Sequence, residues 1–157
     1  MLPTSPRFSV AWKAVLRMDR EILPAMSQEN TENLRRAFDA FNRRDKAAWL
    51  AACDPQYENF PPREWPENAP IRGAEAIWDF YVETVKVWEP GPFEWPELID
   101  AGTDRIVAHQ QREMRGKTSG ASVVWNFWVV FTFRDGKAVR SEWFSKRAEA
   151  FEAAGLR

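Results

Sequence analysis

The chain has 157 residues, 45% of them hydrophobic and 29% charged. That suits one globular domain with a single core and is too short for two. The formal net charge of −1 argues against nucleic-acid binding, which needs a clustered basic face. The one cysteine, Cys53, allows no internal disulfide framework and fits a reducing, cytoplasmic setting. His109 is the only histidine, so one chain cannot build a two-His or Cys/His zinc site, and neither a metal nor a cofactor is expected. No apolar run approaches the length of a membrane span. Gly116-Lys117-Thr118 matches only the end of a phosphate-binding loop, whose earlier glycine would fall at Gln111. Nine Trp and eleven Phe against two Tyr mark an aromatic-rich interior, a pocket lining, or both.

Residues 1–26 read as an extension separate from 27–157. Trp12, Val15, Leu16, Met18, Ile22 and Leu23 fall on one helical face, with Lys13, Arg17 and Arg20 interleaved. Those charges break the apolar stretch that a secretory signal requires. An over-long gene start, a docked helix and a membrane-surface helix all remain open. Met26-Ser27 reads as a natural start, with Ser27 as a helix cap.

From there Leu34, Ala37, Phe38 and Phe41 give an amphipathic first helix. Asp45 caps a short second helix carrying Trp49 and Ala52, and residues 56–60 form a strand. A proline-rich loop, 61–73, surrounds Trp65 and is expected to border a pocket mouth as a semi-rigid flap, or to pack Trp65 beneath itself. Ile77, Phe80, Tyr81, Thr84, Val85 and Trp88 predict a third helix ended by Pro90-Gly91-Pro92. Strands near 93–100, 104–115, 121–133 and 137–146 follow, separated by Gly102-Thr103-Asp104, Gly116–Gly120 and Asp135-Gly136, and a helix over 147–154 closes the chain. Helices first and a strand meander afterwards make an α+β domain.

Alternation places Trp125, Phe127, Val129, Phe131 and Phe133 on a buried face, with Val139 and Trp143 joining them from the next strand. A two-residue Asp135-Gly136 loop in regular register would bring Glu142 into the core. A three-residue loop, Arg134-Asp135-Gly136 with a bulge at the glycine, is therefore expected. The opposite face presents Trp128, Val130 and Phe144, a patch that predicts a homodimer through the outer sheet face, unless an N-terminal helix covers it.

The segments Leu34–Asp45, Asp54-Pro55, Arg72–Ile77, Phe133–Lys137 and Arg147–Leu156 together resemble, in order, the SnoaL-like domains of the nuclear transport factor 2-like superfamily. The resemblance covers residues 27–157. It implies a cone-shaped, curved antiparallel sheet wrapped around an N-terminal helical layer, enclosing a pocket for a small hydrophobic molecule. On that basis Tyr57, Asn59, Tyr81, Gln111, Trp125, Phe127, Val129 and Trp143 are the candidate ligand-binding residues.

The fold hosts isomerases, cyclases, dehydratases, hydrolases and binders, so it does not decide function. The inward acid of isomerase-like relatives is missing, since that stretch reads Phe127, Val129 and Phe131, and the Asp-Arg-Asp set of epoxide-hydrolysing relatives is not found either. Pairing Arg115 near Ala121 would set His109 opposite Phe127, inside the cone, as a candidate acid/base; a one-residue slip would turn it outward. Against it stands the plainer reading of a hydrogen-bonded or surface histidine. The leading expectation is a non-catalytic binder with an aromatic-lined pocket. The alternatives are a cofactor-independent isomerase, cyclase or lyase acting on a cyclic or polyketide-like substrate, and a dimeric scaffold with a filled core.

Overall fold

A computed structural model describes the backbone of residues 25–90, 94–102 and 104–156. The apolar face read between Trp12 and Leu23 lies outside the described residues. Helix α1 (Ala25–Asn42) is already under way at Ser27, so that residue sits within the helix and does not cap it. Leu34, Ala37, Ala40 and Phe41 form the buried side of α1, as their spacing requires. The Asp45 side chain accepts the Ala48 amide at 3.1 Å and starts α2 (Lys46–Ala52). Strand β1 (Cys53–Phe60) follows at once and pairs after the proline loop with a two-residue β2 (Ile71–Arg72). Helix α3 (Ala74–Val85) stops earlier than its periodicity suggests, and Trp88 begins a short strand, β3 (Trp88–Pro90).

The remaining strands are β4 (Glu94–Asp100), β5 (Arg105–Gly116), β6 (Ser122–Arg134) and β7 (Lys137–Phe144), followed by helix α4 (Arg147–Ala153). They form one open sheet in the order β2-β1-β7-β6-β5-β3, with β4 also on β5. Thus β3 and β4 lie end to end along the same side of β5, at Met114–Gly116 and Ile106–Gln111 respectively. Every pair is antiparallel, as expected, except β1 with β7, where Asn59 meets Ser141 in parallel register. No hairpin links those two strands; β1 is laid against β7 by the whole intervening chain.

The β6–β7 turn corrects one expectation and keeps its consequence. The loop has two residues: Arg134 pairs with Lys137 around Asp135 (φ 52°) and Gly136 (φ 75°), the positive angles of a type I′ turn. The extra residue lies further along. Phe133 pairs with Ala138 but Thr132 pairs with Arg140, so Val139 bulges out of the ladder. Beyond the bulge, Trp143 faces Val129 inside and Glu142 meets Val130 outside. Ala138, not Val139, takes the buried position beside Phe133. A bulge within the strand spares the carboxylate from burial as well as a longer loop would.

The outer patch is also corrected. Trp128 is 9% exposed and Val130 1%, because α4 lays Ala150 and Phe151 over them, the residues after it add Ala154 and Leu156, and Phe144 lies at the side. The chain covers this face itself, which removes the reason for a second copy there.

Candidate functional site

The concave side of the sheet carries a run of aromatic rings. Trp125 packs against Phe127 with centroids 6.2 Å apart, Phe127 against Trp143 at 5.6 Å, and Trp143 stacks on Tyr81 of α3 at 5.6 Å and 23°. Strict alternation along β6 puts Trp125, Phe127, Val129 and Phe131 on this side. The proline loop contributes the roof: Trp65 lies over Trp125 at 5.4 Å and over Phe127 at 5.8 Å. Of the two readings of the loop, this favours contact with the sheet over packing beneath the loop itself. At the mouth, Val85, Met114 and Trp125 form a cluster that Trp65, Trp88 and Phe127 border.

Deeper in, α1, α2 and α3 close on β1, β6 and β7 around a cavity of about 50 Å³, lined by Phe41, Trp49, Tyr57, Ile77, Tyr81 and Trp143 among others. A buried chain of hydrogen bonds borders it. The Tyr81 hydroxyl donates to Asn59 Oδ1 at 2.9 Å, Asn59 Nδ2 donates to Ser141 Oγ at 2.7 Å, and the Tyr57 hydroxyl is hydrogen-bonded to the same serine. Each amide atom of Asn59 thereby has a partner within the protein, so this chain first of all ties α3 and β1 to β7. Burial pushes the Tyr57 and Tyr81 phenols well up and the Cys53 thiol up to about 12. All three stay neutral near pH 7 and can donate a proton in a hydrogen bond.

Strand β5 departs from the expected register by one residue. Arg115 pairs with Ser122 and His109 with Trp128, because Gly116 and Ala121 close the hairpin around four residues. His109 and Gln111 therefore belong to the convex face, and neither reaches the cone interior. The His109 ring lies flat on Trp128, and its Nε2 donates to Asn126 Oδ1 at 2.5 Å.

The inner positions on β5 fall instead to Ala108, Gln110 and Arg112, opposite Val129, Phe127 and Trp125. Gln110 is 0% exposed, and neither its Oε1 nor its Nε2 has a hydrogen-bond partner. Beside it the β4 edge is irregular: Glu94 pairs with Gln111 and Glu97 with His109, which leaves two β4 residues against Gln110 alone. Arg112 is 2% exposed and packs over the Phe41 ring at 5.7 Å, while Arg44 approaches the same ring at 4.7 Å. Desolvation, with a smaller push from Arg44, lowers the Arg112 guanidinium to about 9.

Gln110 and Arg112 are the inner-face residues that sequence reasoning missed. A signal was present: Ile106 and Met114 bound their face with apolar groups, whereas Glu113 and Arg115 put charge on the face of His109. Outside the mouth, a cleft of about 470 Å³ shares Val85 and Trp88 with it and is rimmed by Arg44, Lys86, Lys117 and Glu89.

Solved structures share this architecture. A nuclear transport factor 2-like protein from Burkholderia pseudomallei K96243 is 25% identical, with a TM-score of 0.63 over 79% of this chain and 95% of that one. TerC, crystallised with polyporic acid, is 23% identical, with a TM-score of 0.64 over 81% and 98%. A Mycobacterium tuberculosis protein in complex with estradiol-17β-hemisuccinate is 13% identical, with a TM-score of 0.64 over 76% and 95%. No curated protein matches the chain. Residues 34–141, from the buried face of α1 to the Ser141 that β7 offers to Asn59, match the model of the SnoaL-like domain; the chain belongs to the SnoaL-like domain family.

Proposed function

We propose that the cone holds a flat hydrophobic molecule against its aromatic wall and binds it without transforming it. The observation that carries this reading is the roofed aromatic run in which Trp65 covers Trp125 and Phe127, with Trp143 and Tyr81 continuing the wall. Flat rings offer large contact area at low conformational cost, which favours planar apolar ligands. Trp125, Phe127, Val129, Tyr81 and Trp143 are assigned as wall residues, and Tyr57 and Asn59 as their support. The cavity of about 50 Å³ is smaller than the several hundred Å³ typical of drug-sized ligands. A larger ligand seated against Trp125 and Phe127 would have to displace Trp65, the half-buried loop residue that roofs them.

Binding is preferred over catalysis because of the groups on the inner face. Among the described residues, the buried polar side chains there are amides, hydroxyls and one guanidinium. Proton abstraction needs a base near neutral pH; the tyrosines and Cys53 are shifted away from that role, and the single imidazole lies across the sheet. Fold relatives crystallised with polyporic acid and with a steroid ester lend a choice of probes. Titrating the protein with polycyclic aromatics and steroids, while following tryptophan fluorescence, should give saturable quenching with the probe recovered intact by mass spectrometry. A chemically altered probe would replace this reading with an isomerase- or cyclase-type enzyme, and no saturable binding would leave the filled scaffold.

A further inference from the structure

We propose that the deep end of the site takes a neutral hydrogen-bond acceptor, the carbonyl oxygen of a flat ketone or quinone, and that the Tyr57 hydroxyl donates to it. This rests on the binding function above and specifies its ligand chemistry. The hydrogens of the buried chain can be counted. The hydroxyls of Tyr57, Tyr81 and Ser141 carry one each. Tyr81 commits its own to Asn59 Oδ1, and an Asn59 amide hydrogen, not a hydroxyl, makes the link to Ser141 Oγ. Two hydroxyl hydrogens, those of Ser141 and Tyr57, then remain for the single link between these two residues. One is in excess, and a buried hydroxyl hydrogen without an acceptor is a costly arrangement.

The cavity decides which hydrogen that is. Tyr57 lines the space of about 50 Å³, whereas Ser141, 0% exposed, is not among its lining residues. With Ser141 donating to Tyr57 Oη, the chain runs in one direction from Tyr81 and ends on a phenolic hydrogen at the cavity. An acceptor arriving there completes it. Size and charge select the acceptor. A space of about 50 Å³ admits the end of a ligand, not the whole of one. Trp143 lines this space and also packs on Phe127, so a ring system lying on the aromatic run can reach into the cavity by one edge. Among the described residues that line it, none is an acid, a lysine, an arginine or a histidine. An anion would therefore lose its hydration with no cation to replace it, while a neutral carbonyl loses less. A ligand hydroxyl would bring a further hydrogen into a chain that already has one too many.

The test uses three probes of nearly the same shape on the full chain at neutral pH: 2-acetonaphthone, its alkene counterpart 2-isopropenylnaphthalene, and 2-naphthoate. Fluorescence titration reads their affinities. Tyr57→Phe should weaken the ketone about three- to tenfold and leave the alkene within about twofold, and naphthoate should bind the wild-type protein more weakly than the ketone. The infrared carbonyl stretch of the bound ketone should lie at lower frequency than in an alkane solvent, a reading on the wild-type protein that stands even if Tyr57→Phe does not fold. Equal losses for ketone and alkene would make Tyr57 a packing residue and overturn the assignment. So would an unchanged ketone affinity in the variant, or an alkane-like stretch, with the binding function left intact. Tighter binding of naphthoate than of the ketone would overturn the neutral acceptor. Failure of all three probes to bind would count against the binding function itself, and the carbonyl assignment would fall with it.

Discussion

The His109 imidazole and the Trp128 indole stack face to face on the convex side of the sheet, with ring centroids 4.2 Å apart and planes within 4°. The Arg147 guanidinium also lies over Trp128 at 5.3 Å and over Phe151 at 3.9 Å. The histidine thus belongs to the cluster that seats α4, on the side of the sheet away from the aromatic wall. His109→Ala should leave probe affinity unchanged and lower stability by about 0.5–1.5 kcal/mol, the range for a lost ring pair. Urea denaturation and calorimetry check this; a tenfold loss of affinity at unchanged stability would return the histidine to the binding site.

Trp65 roofs Trp125 and Phe127, and the proposed binding function makes it the residue a ligand displaces. Trp65→Ala should raise the dissociation rate of a bound aromatic probe by about tenfold or more, at a stability cost of about 1–3 kcal/mol for a half-buried ring. Stopped-flow fluorescence measures the first and thermal unfolding the second. Lost stability with an unaltered dissociation rate would make Trp65 a packing residue only.

The chain has two tyrosines, and both are buried with phenols pushed above their ordinary value of 10.0 by desolvation. The folded protein should therefore show no tyrosinate absorbance as pH passes 10, and the signal should rise only together with loss of secondary structure. The sign follows from proton linkage. The unfolded chain releases these protons near pH 10 while the folded chain keeps them, so stability is full below that pH and falls above it. Cys53, raised from 9.0 to about 12, acts in the same direction from pH 9 upward. Absorbance at 295 nm against circular dichroism provides the check; tyrosinate appearing near pH 10 in a folded protein would refute it.

Val130 lies at 1% exposure beneath α4. Val130→Asp should therefore unfold or aggregate the protein, at a cost of about 3–5 kcal/mol for a buried unpaired charge. Light scattering and thermal unfolding decide; a folded, soluble monomer derived from a wild-type dimer would restore the outer face as an interface.

Gly136 turns the β6–β7 hairpin at φ 75°, and a Cβ there would stand 2.7 Å from a carboxylate oxygen of Glu29 on α1. Asn33 of the same helix donates to the Gly136 carbonyl. Gly136→Ala should cost about 1–2 kcal/mol from the left-handed backbone alone, read as a lower urea midpoint. An unchanged midpoint would mean that the turn and α1 yield freely to the added methyl.

The elements, their order and the family could be read from the chain because strong signals mark them: the spacing Leu34-Ala37-Phe41, the cap at Asp45, and five apolar residues alternating from Trp125 to Phe133. Element boundaries came within a few residues, and the structure places Trp125, Phe127 and Val129 of β6 on one face of the sheet. What failed was register, and it failed where local chemistry is neutral. Val107, His109 and Gln111 are no more hydrophilic than Ala108, Gln110 and Arg112, so the middle of the strand leaves the choice of face to hairpin geometry and to the strand's end residues, and a slip of one residue exchanges the faces. In the same way, a bulge at Val139 and a longer loop are indistinguishable from sequence, since either keeps Glu142 in solvent. The cover over Trp128 is not legible from the sequence because α4 is only seven residues long, too short for its apolar positions to show which surface they face.

The parallel pairing of β1 with β7 sets a timetable for assembly. Asn59 and Ser141 are separated by 82 residues, yet they must meet before Tyr57, Trp49 and Phe41 have a sheet to pack on. During synthesis α1, α2 and β1 emerge long before β7 exists, so β1 cannot join the sheet beside β7 until β7 has been made. Such long-range pairing is slow, because the loop-closure entropy is lost before the contacts form. The β5–β6–β7 meander, joined by short turns, is the part able to form first. Refolding should then show protection of β5–β7 amides preceding that of β1, with an aromatic face exposed and prone to aggregation in the interval.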